Sequence, residues 1–280
     1  MTRVGRRSFG AVLLAAATAL VGCGATQSAE LGSQGPVAQF VVECELSHLA
    51  FDDPLVLPWQ PGKSHLHMFF GNRAVDADPG YDDQILAAGT SCDDRRDTAS
   101  YWAPALLDSE GKVVEPIDMV AYHRSGQGVD PSAVVPYPPG LMLIGGDAAS
   151  RETQSTDIVG WSCGSDVVRS DRPTQCSDDS TLRMVVTFPD CWDGERLSTF
   201  GASAHVRYSD ASIEGGCPDD HPVALPQLTI GIDFPPIDPA GLSLSSGGID
   251  TAHADFWNVW DQAELDRQVE DCINGDQVCE

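Results

Sequence analysis

Short runs of β-branched and aromatic residues, broken by Gly, Pro, Asp or Ser, dominate the chain from residue 37 onward. They predict strands at Gln39–Glu43, His65–Phe70, Tyr101–Leu107, Met119–His123, Leu141–Ile144, Ile158–Ser162, Leu182–Phe188 and Leu228–Phe234. The 27 glycines and 19 prolines suit many turns and long loops between such runs. A mainly β domain is expected, a single β-sandwich or jelly-roll-like fold with a C-terminal helix. That helix is read from Asp255 to Ile273, where Trp257, Trp260 or Asp261, Leu265, Val269 and Cys272 recur at helical spacing and Gly275 stands as C-cap. A shorter helix is expected over Tyr81–Ala88.

The first residues have a different pattern. Arg3, Arg6 and Arg7 precede an apolar stretch from Phe9 to Val21 that is too short and Ala-rich for a membrane span. It ends at Leu20-Val21-Gly22-Cys23, which resembles a bacterial lipobox. Residues 1–22 are thus read as a lipoprotein signal peptide, with Cys23 acylated and the mature chain held on the outer face of the cell membrane. Arg6-Arg7-Ser8-Phe9 also resembles a twin-arginine export signal, against the general route that disulfides formed after export would suggest. Residues 23–36 are small and polar, a flexible tether. No second linker or repeat follows, so 37–280 is read as one domain.

Cysteine usage fits an exported chain. Of nine cysteines, removing Cys23 leaves eight, an even number that implies four disulfides. Proximity in sequence suggests Cys44–Cys92, Cys163–Cys176, Cys191–Cys217 and Cys272–Cys279. No C-x-x-C occurs, which argues against a zinc knuckle or a thioredoxin-type motif. Sixteen Lys+Arg against 42 Asp+Glu give a net charge of −26. So acidic a surface repels phosphate backbones, and nucleic acid is excluded as a partner class.

The stretch Ser64-His65-Leu66-His67-Met68-Phe69-Phe70-Gly71-Asn72 carries the strongest chemical signal. On a strand, His65 and His67 share one face, about 6–7 Å apart at the backbone, while Leu66, Met68 and Phe70 fill the other. Two such imidazoles suit one divalent transition metal, general acid–base work, or a hydrogen-bonded structural pair. A third ligand is sought in His205 or His253, with Asp255 as ligand or as the group that orients an imidazole. Asp193 beside Trp192 suits a sugar stacked on an aromatic face near a carboxylate, or simply a turn beside a disulfide. Arg207 and Tyr208, next to His205, are candidates for binding an anionic or sugar substrate. No G-x-S-x-G elbow, H-E-x-x-H or Walker loop is present.

Several stretches together resemble a known family. They include Phe51-Asp52-Asp53-Pro54, the histidine stretch, Ser100-Tyr101-Trp102-Ala103-Pro104, Gly140 to Asp147, Phe188 to Gly194, Ser203 to Tyr208, Cys217 to Pro222 and His253-Ala254-Asp255-Phe256. In their order they are similar to the exported domain of unknown function nineteen-ninety-six of fungi and actinobacteria. The resemblance implies no settled activity. Fungal members are sometimes joined to carbohydrate-binding WSC domains, which leans toward glycans. The expectation is therefore an envelope lipoprotein acting on cell-wall glycan through a histidine-centred site. The alternatives are a non-catalytic glycan- or metal-binding lipoprotein, or a purely structural disulfide-stapled domain.

Overall fold

The computed structural model describes residues 1–2, 37–201 and 203–279. Cys23, the tether and nearly all of the signal segment lie outside the described residues. In chain order the strands begin with β1 (Gln39–Cys44), β2 (Leu46–Ala50), β3 (His67–Gly71), β4 (Ser100–Pro104), β5 (Leu106–Leu107), β6 (Asp118–Arg124), β7 (Met142–Gly146) and β8 (Val159–Cys163). They continue with β9 (Leu182–Thr187), β10 (Cys191–Trp192), β11 (Val206–Arg207), β12 (Val223–Ala224), β13 (Gln227–Phe234), β14 (Ser243–Leu244), β15 (His253–Trp257) and β16 (Val278–Cys279).

Two sheets make the sandwich. One has the order β16-β1-β6-β13-β9-β8 and the other β2-β3-β4-β15-β7. All pairings are antiparallel except β1 with β16. Alternation along each strand sends one set of side chains inward. Phe40 and Val42, Met119 and Ala121, Leu228, Ile230 and Ile232 from the first sheet meet Met68, Phe70, Tyr101, Ala103, Leu143 and Phe256 from the second in one continuous core. Fully burying each of the larger side chains contributes about 1.5–3 kcal/mol.

The five-stranded sheet is buried on its other face too. Phe69, Trp102, Met142 and Trp257 pack there under Leu55, Val75 and Ile85 in a second, smaller core. These three covering residues come from the long excursion between β2 and β4, so the sheet has a roof of loops with one short helix, α1 (Asp83–Leu86). The Asp82 carboxylate caps that helix by accepting from the N–H groups of Gln84 and Ile85. The candidate site lies on this roofed face.

The four disulfides join Cys44 to Cys92, Cys163 to Cys176, Cys191 to Cys217 and Cys272 to Cys279, each cysteine to its neighbour in sequence. The C-terminal helix is α2 (Gln262–Gln268), continued by a π-helical turn over Val269–Asn274. It starts seven residues later than the periodicity predicts. Asp255 and Trp257 belong instead to β15, all five of whose residues are buried between β4 and β7. A strand covered on both faces shows no polar alternation, so the three-residue spacing of Trp257 and Trp260 imitates a helix. Asp261 is the true N-cap, accepting from the Glu264 N–H. Among the described residues no helix is long and apolar enough to cross a membrane.

Candidate metal centre

His67 opens β3 and points to the roofed face with Phe69, while Met68 and Phe70 enter the main core. The strand ends at Gly71, whose backbone has φ of +79° and lies so near Ala99 that a Cβ would sit 2.1 Å from the Ala99 carbonyl oxygen. Only glycine fits there. His65 does not lie on the strand, which starts two residues later. It sits in the approach to β3, held by the Ser64 N–H donating to Phe51 O and by Leu66 O accepting from the Ala105 N–H.

The third imidazole arrives from β15. β4 runs between β3 and β15 and ends at Pro104, opposite His67. His253 pairs with Gly146 on β7. Gly146 has φ of +80°, and a Cβ there would lie 2.7 Å from the Ala252 carbonyl oxygen and 3.0 Å from the His253 Cα. The glycine lets the start of β15 sit close to β7.

The three rings converge. Centroids of His65 and His67 are 4.1 Å apart, His65 and His253 5.2 Å, and His67 and His253 6.0 Å. Each offers one nitrogen within 4.8 Å of the others. His67 Nδ1–H donates to the Asp52 carbonyl at 2.9 Å, and His253 Nδ1–H donates to the Thr251 carbonyl at 2.7 Å. These bonds fix the tautomer, so both Nε2 atoms carry a lone pair into the cluster, as in metal-ligating histidines. Nε2 of His65 and Nε2 of His67 are buried without a hydrogen-bond partner.

Electrostatics agree with neutral rings. Burial, with the neighbouring His253, brings the His65 pKa down to about 4. Burial, then His65 and His253, hold His67 well below its ordinary value. Burial also lowers His253, against its bond to Thr251. Neutral imidazole is the form that binds metal.

Beside the rings stands Asp255, fully buried, with neither carboxylate oxygen hydrogen-bonded. Its Oδ2 lies 4.0 Å from His253 Nε2. Burial, then the nearby Asp53, push its pKa well above the usual carboxylate range. Asp53 is itself raised to about 6 by burial, although the Leu55 and Val56 N–H groups donate to it. Asp255 thus stands beside the imidazole of His253 with Asp53 near enough to act on it, and neither carboxyl is paired with a cationic side chain among the described residues.

The donor set fits a divalent transition ion. Three imidazoles with a fourth position open is a catalytic-type zinc arrangement. Tetrahedral coordination at about 2.0–2.1 Å needs ligand nitrogens about 3.3 Å apart, so the rings would have to close by up to about 1.5 Å. A second group of potential ligands, Cys44, Cys92 and Asp97, is spent otherwise. Its cysteines form a disulfide, and Asp97 accepts from Tyr101 OH and the Ala99 N–H.

The family model for a domain of unknown function, DUF1996, matches residues 53–260, a span that contains all three histidines and Asp255. The chain belongs to the DUF1996 family. No curated protein and no solved structure matches it.

Other candidate residues of this DUF1996 chain lie elsewhere. His205 is not in the cluster. Its Nε2–H donates to the Met142 carbonyl at 2.8 Å, and Nδ1 accepts from the Thr199 hydroxyl at 3.2 Å. Both nitrogens are occupied, leaving none for a metal. Asp193 caps a turn, accepting from the Glu195 and Arg196 N–H groups and pairing with the Arg196 guanidinium. Trp192 Nε1–H donates to the Arg196 carbonyl. The exposed Arg207 donates to the Ser203 and Val206 carbonyls, and Tyr208 OH donates to the Thr187 carbonyl at 3.1 Å. None of these joins the three histidines.

Asp53 and the carbonyl of Asp52 are participants that reading the residues alone does not single out. Their one signal is that Phe51-Asp52-Asp53-Pro54 is among the stretches resembling the family.

Proposed function

We propose that this DUF1996 protein is a metal-dependent enzyme of the cell envelope, with His65, His67 and His253 as ligands of one divalent transition ion. The observation that supports it is the convergence of three lone-pair-bearing imidazoles on a face that also buries the unpartnered carboxyl of Asp255. An ionised carboxylate left alone in such a place costs several kcal/mol, and an adjacent cation offsets that cost.

When bound, the ion supplies Lewis acidity and a water acidic enough to act as nucleophile near neutral pH. Asp255 takes up or returns the proton at its Oδ2, on the His253 side. Asp52 and Thr251, through their carbonyls, hold the rings in place. His65 is half-buried while His67 and His253 are buried, so substrate approaches past His65. Glycan is the substrate class, on the strength of the family resemblance. The chain is exported by residues 1–22 and anchored through acylated Cys23, which places the domain beside the cell wall.

Burial of His67 and His253 favours a second reading, a non-catalytic lipoprotein that holds a metal or a glycan. Product analysis separates the two. The soluble domain, loaded with zinc or manganese, is incubated with purified cell-wall glycan alongside the His65→Ala/His67→Ala double variant. New products that vanish in the variant support the enzyme. Stoichiometric metal without products supports the binder.

A further inference from the structure

The outer face of the six-stranded sheet, turned away from the core, holds a polar cavity of about 730 Å³. It lies apart from the residues of the histidine centre. Arg124, at the end of β6, and Arg169, on the segment after β8, both line it.

Their state is unusual for so acidic a chain. Arg183, on the same face, is held by the Asp233 carboxylate, with Nε 3.0 Å from both oxygens. The half-buried Arg124, by contrast, makes no side-chain hydrogen bond or ion pair with the described residues. Arg169 forms no ion pair with the described residues either. Its Nη1 donates to Thr187 Oγ1 at 3.2 Å and to the Thr156 and Asp157 carbonyls at 3.4 Å. Burial lowers the pKa of both, and for Arg169 the charge of Arg124 adds to the effect.

The position of Arg169 is built in. A Cβ on Gly160 would lie 2.7 Å from the Arg169 Cβ, so only glycine lets this stem cross β8. Two partly desolvated guanidinium groups, close enough to repel, are costly unless an anion bridges them. Two carboxylates also line the cavity. The Asp210 carboxylate accepts from the Ser212 N–H, and Asp157 acts on Arg169 electrostatically without forming an ion pair with it.

The remaining lining suits a hydroxylated ligand. Ser209, Tyr208 and Thr187 bring hydroxyl groups, and Gln127 and Gln227 bring amides.

We propose that Arg124 and Arg169 form a binding site for a sugar anion, a uronate or a sugar phosphate, with the charge bridging the two guanidinium groups and the sugar hydroxyls on the Ser, Thr, Tyr and Gln lining. The site stands whether or not the histidine centre holds a metal.

Isothermal titration of the exported domain with glucuronate, glucose 6-phosphate, inorganic phosphate and glucose tests it. At least one sugar anion should bind at submillimolar concentration, more weakly as salt rises, with glucose at least 10-fold weaker. Whichever sugar anion binds tighter identifies the source of the charge. Arg124→Gln should weaken binding at least 10-fold without lowering the thermal midpoint, because it removes an unpaired, partly desolvated charge. Arg169→Lys, which keeps the charge but loses the planar fork, should weaken it similarly, and His67→Ala should leave it unchanged. Failure of both sugar anions to bind would overturn the proposal. So would inorganic phosphate binding as tightly as the tighter sugar anion, affinity unchanged in either arginine variant, or loss of binding in His67→Ala.

Discussion

His67 and His253 stand on strands separated by β4, yet their rings meet edge to face with centroids 6.0 Å apart. Each is oriented from behind by a backbone carbonyl, Asp52 for one and Thr251 for the other. A carbonyl that accepts from Nδ1 leaves Nε2 no donor role, and both rings can then present a lone pair to a common point. Packing alone gives no reason for two imidazoles to be held this way beside a third, that of His65.

Asp255→Asn should act in opposite directions with and without metal. In the metal-free protein it replaces a buried unpartnered carboxyl by a neutral amide, so stability should hold or rise by up to about 1–2 kcal/mol. With metal present, the lost negative charge beside His253 should weaken affinity about 10–100-fold. Chemical denaturation and metal titration of the same variant measure both.

His205→Ala should leave metal binding intact and lower stability by about 1–3 kcal/mol, because the buried Met142 carbonyl loses its donor. Metal content and thermal midpoint together check this. Loss of metal in that variant would bring His205 back into the centre.

The limits of sequence reading are clearest for this residue. The H-x-H spacing makes His65 and His67 neighbours whatever the fold, so that pair was legible. Choosing between His205 and His253 as the third partner was not, because it depends on the strand order β3-β4-β15, a nonlocal property. The disulfides were legible because each closes between neighbouring cysteines. The start of the C-terminal helix is not legible, since β15 is buried on both faces and shows no alternation. Arg124 and Arg169 left no sequence signal at all, as their meaning lies in the absence of a carboxylate partner.

The buried His123 should make stability depend on pH. Its ring stacks on Phe40 with centroids 4.4 Å apart, and burial lowers its pKa to about 3. Unfolded, the ring titrates near 6.5. Between these values the unfolded chain binds more protons, so this residue removes stability as pH falls below about 6.5 and contributes no such penalty above it. His123→Phe should thus match the wild type near pH 7.5 and exceed it by up to about 2 kcal/mol near pH 5. Urea denaturation at the two pH values reads the difference.

The disulfides should differ in weight. Cys44–Cys92 spans 48 residues, including His65 and His67, whereas Cys272–Cys279 spans 7. Loop-closure entropy gives about 4 kcal/mol for the first and about 2 kcal/mol for the second. Paired Cys→Ser variants, compared by denaturation, should keep that order.

Metal titration of the chelator-stripped protein is the most direct test of the histidine centre. Cobalt(II) absorption and zinc calorimetry should both give one ion per chain. Each of His65→Ala, His67→Ala and His253→Ala should weaken binding at least 100-fold while the domain stays folded. Absence of stoichiometric binding by the wild type, or binding by all three variants as tight as the wild type's, would contradict a metal centre at His65, His67 and His253.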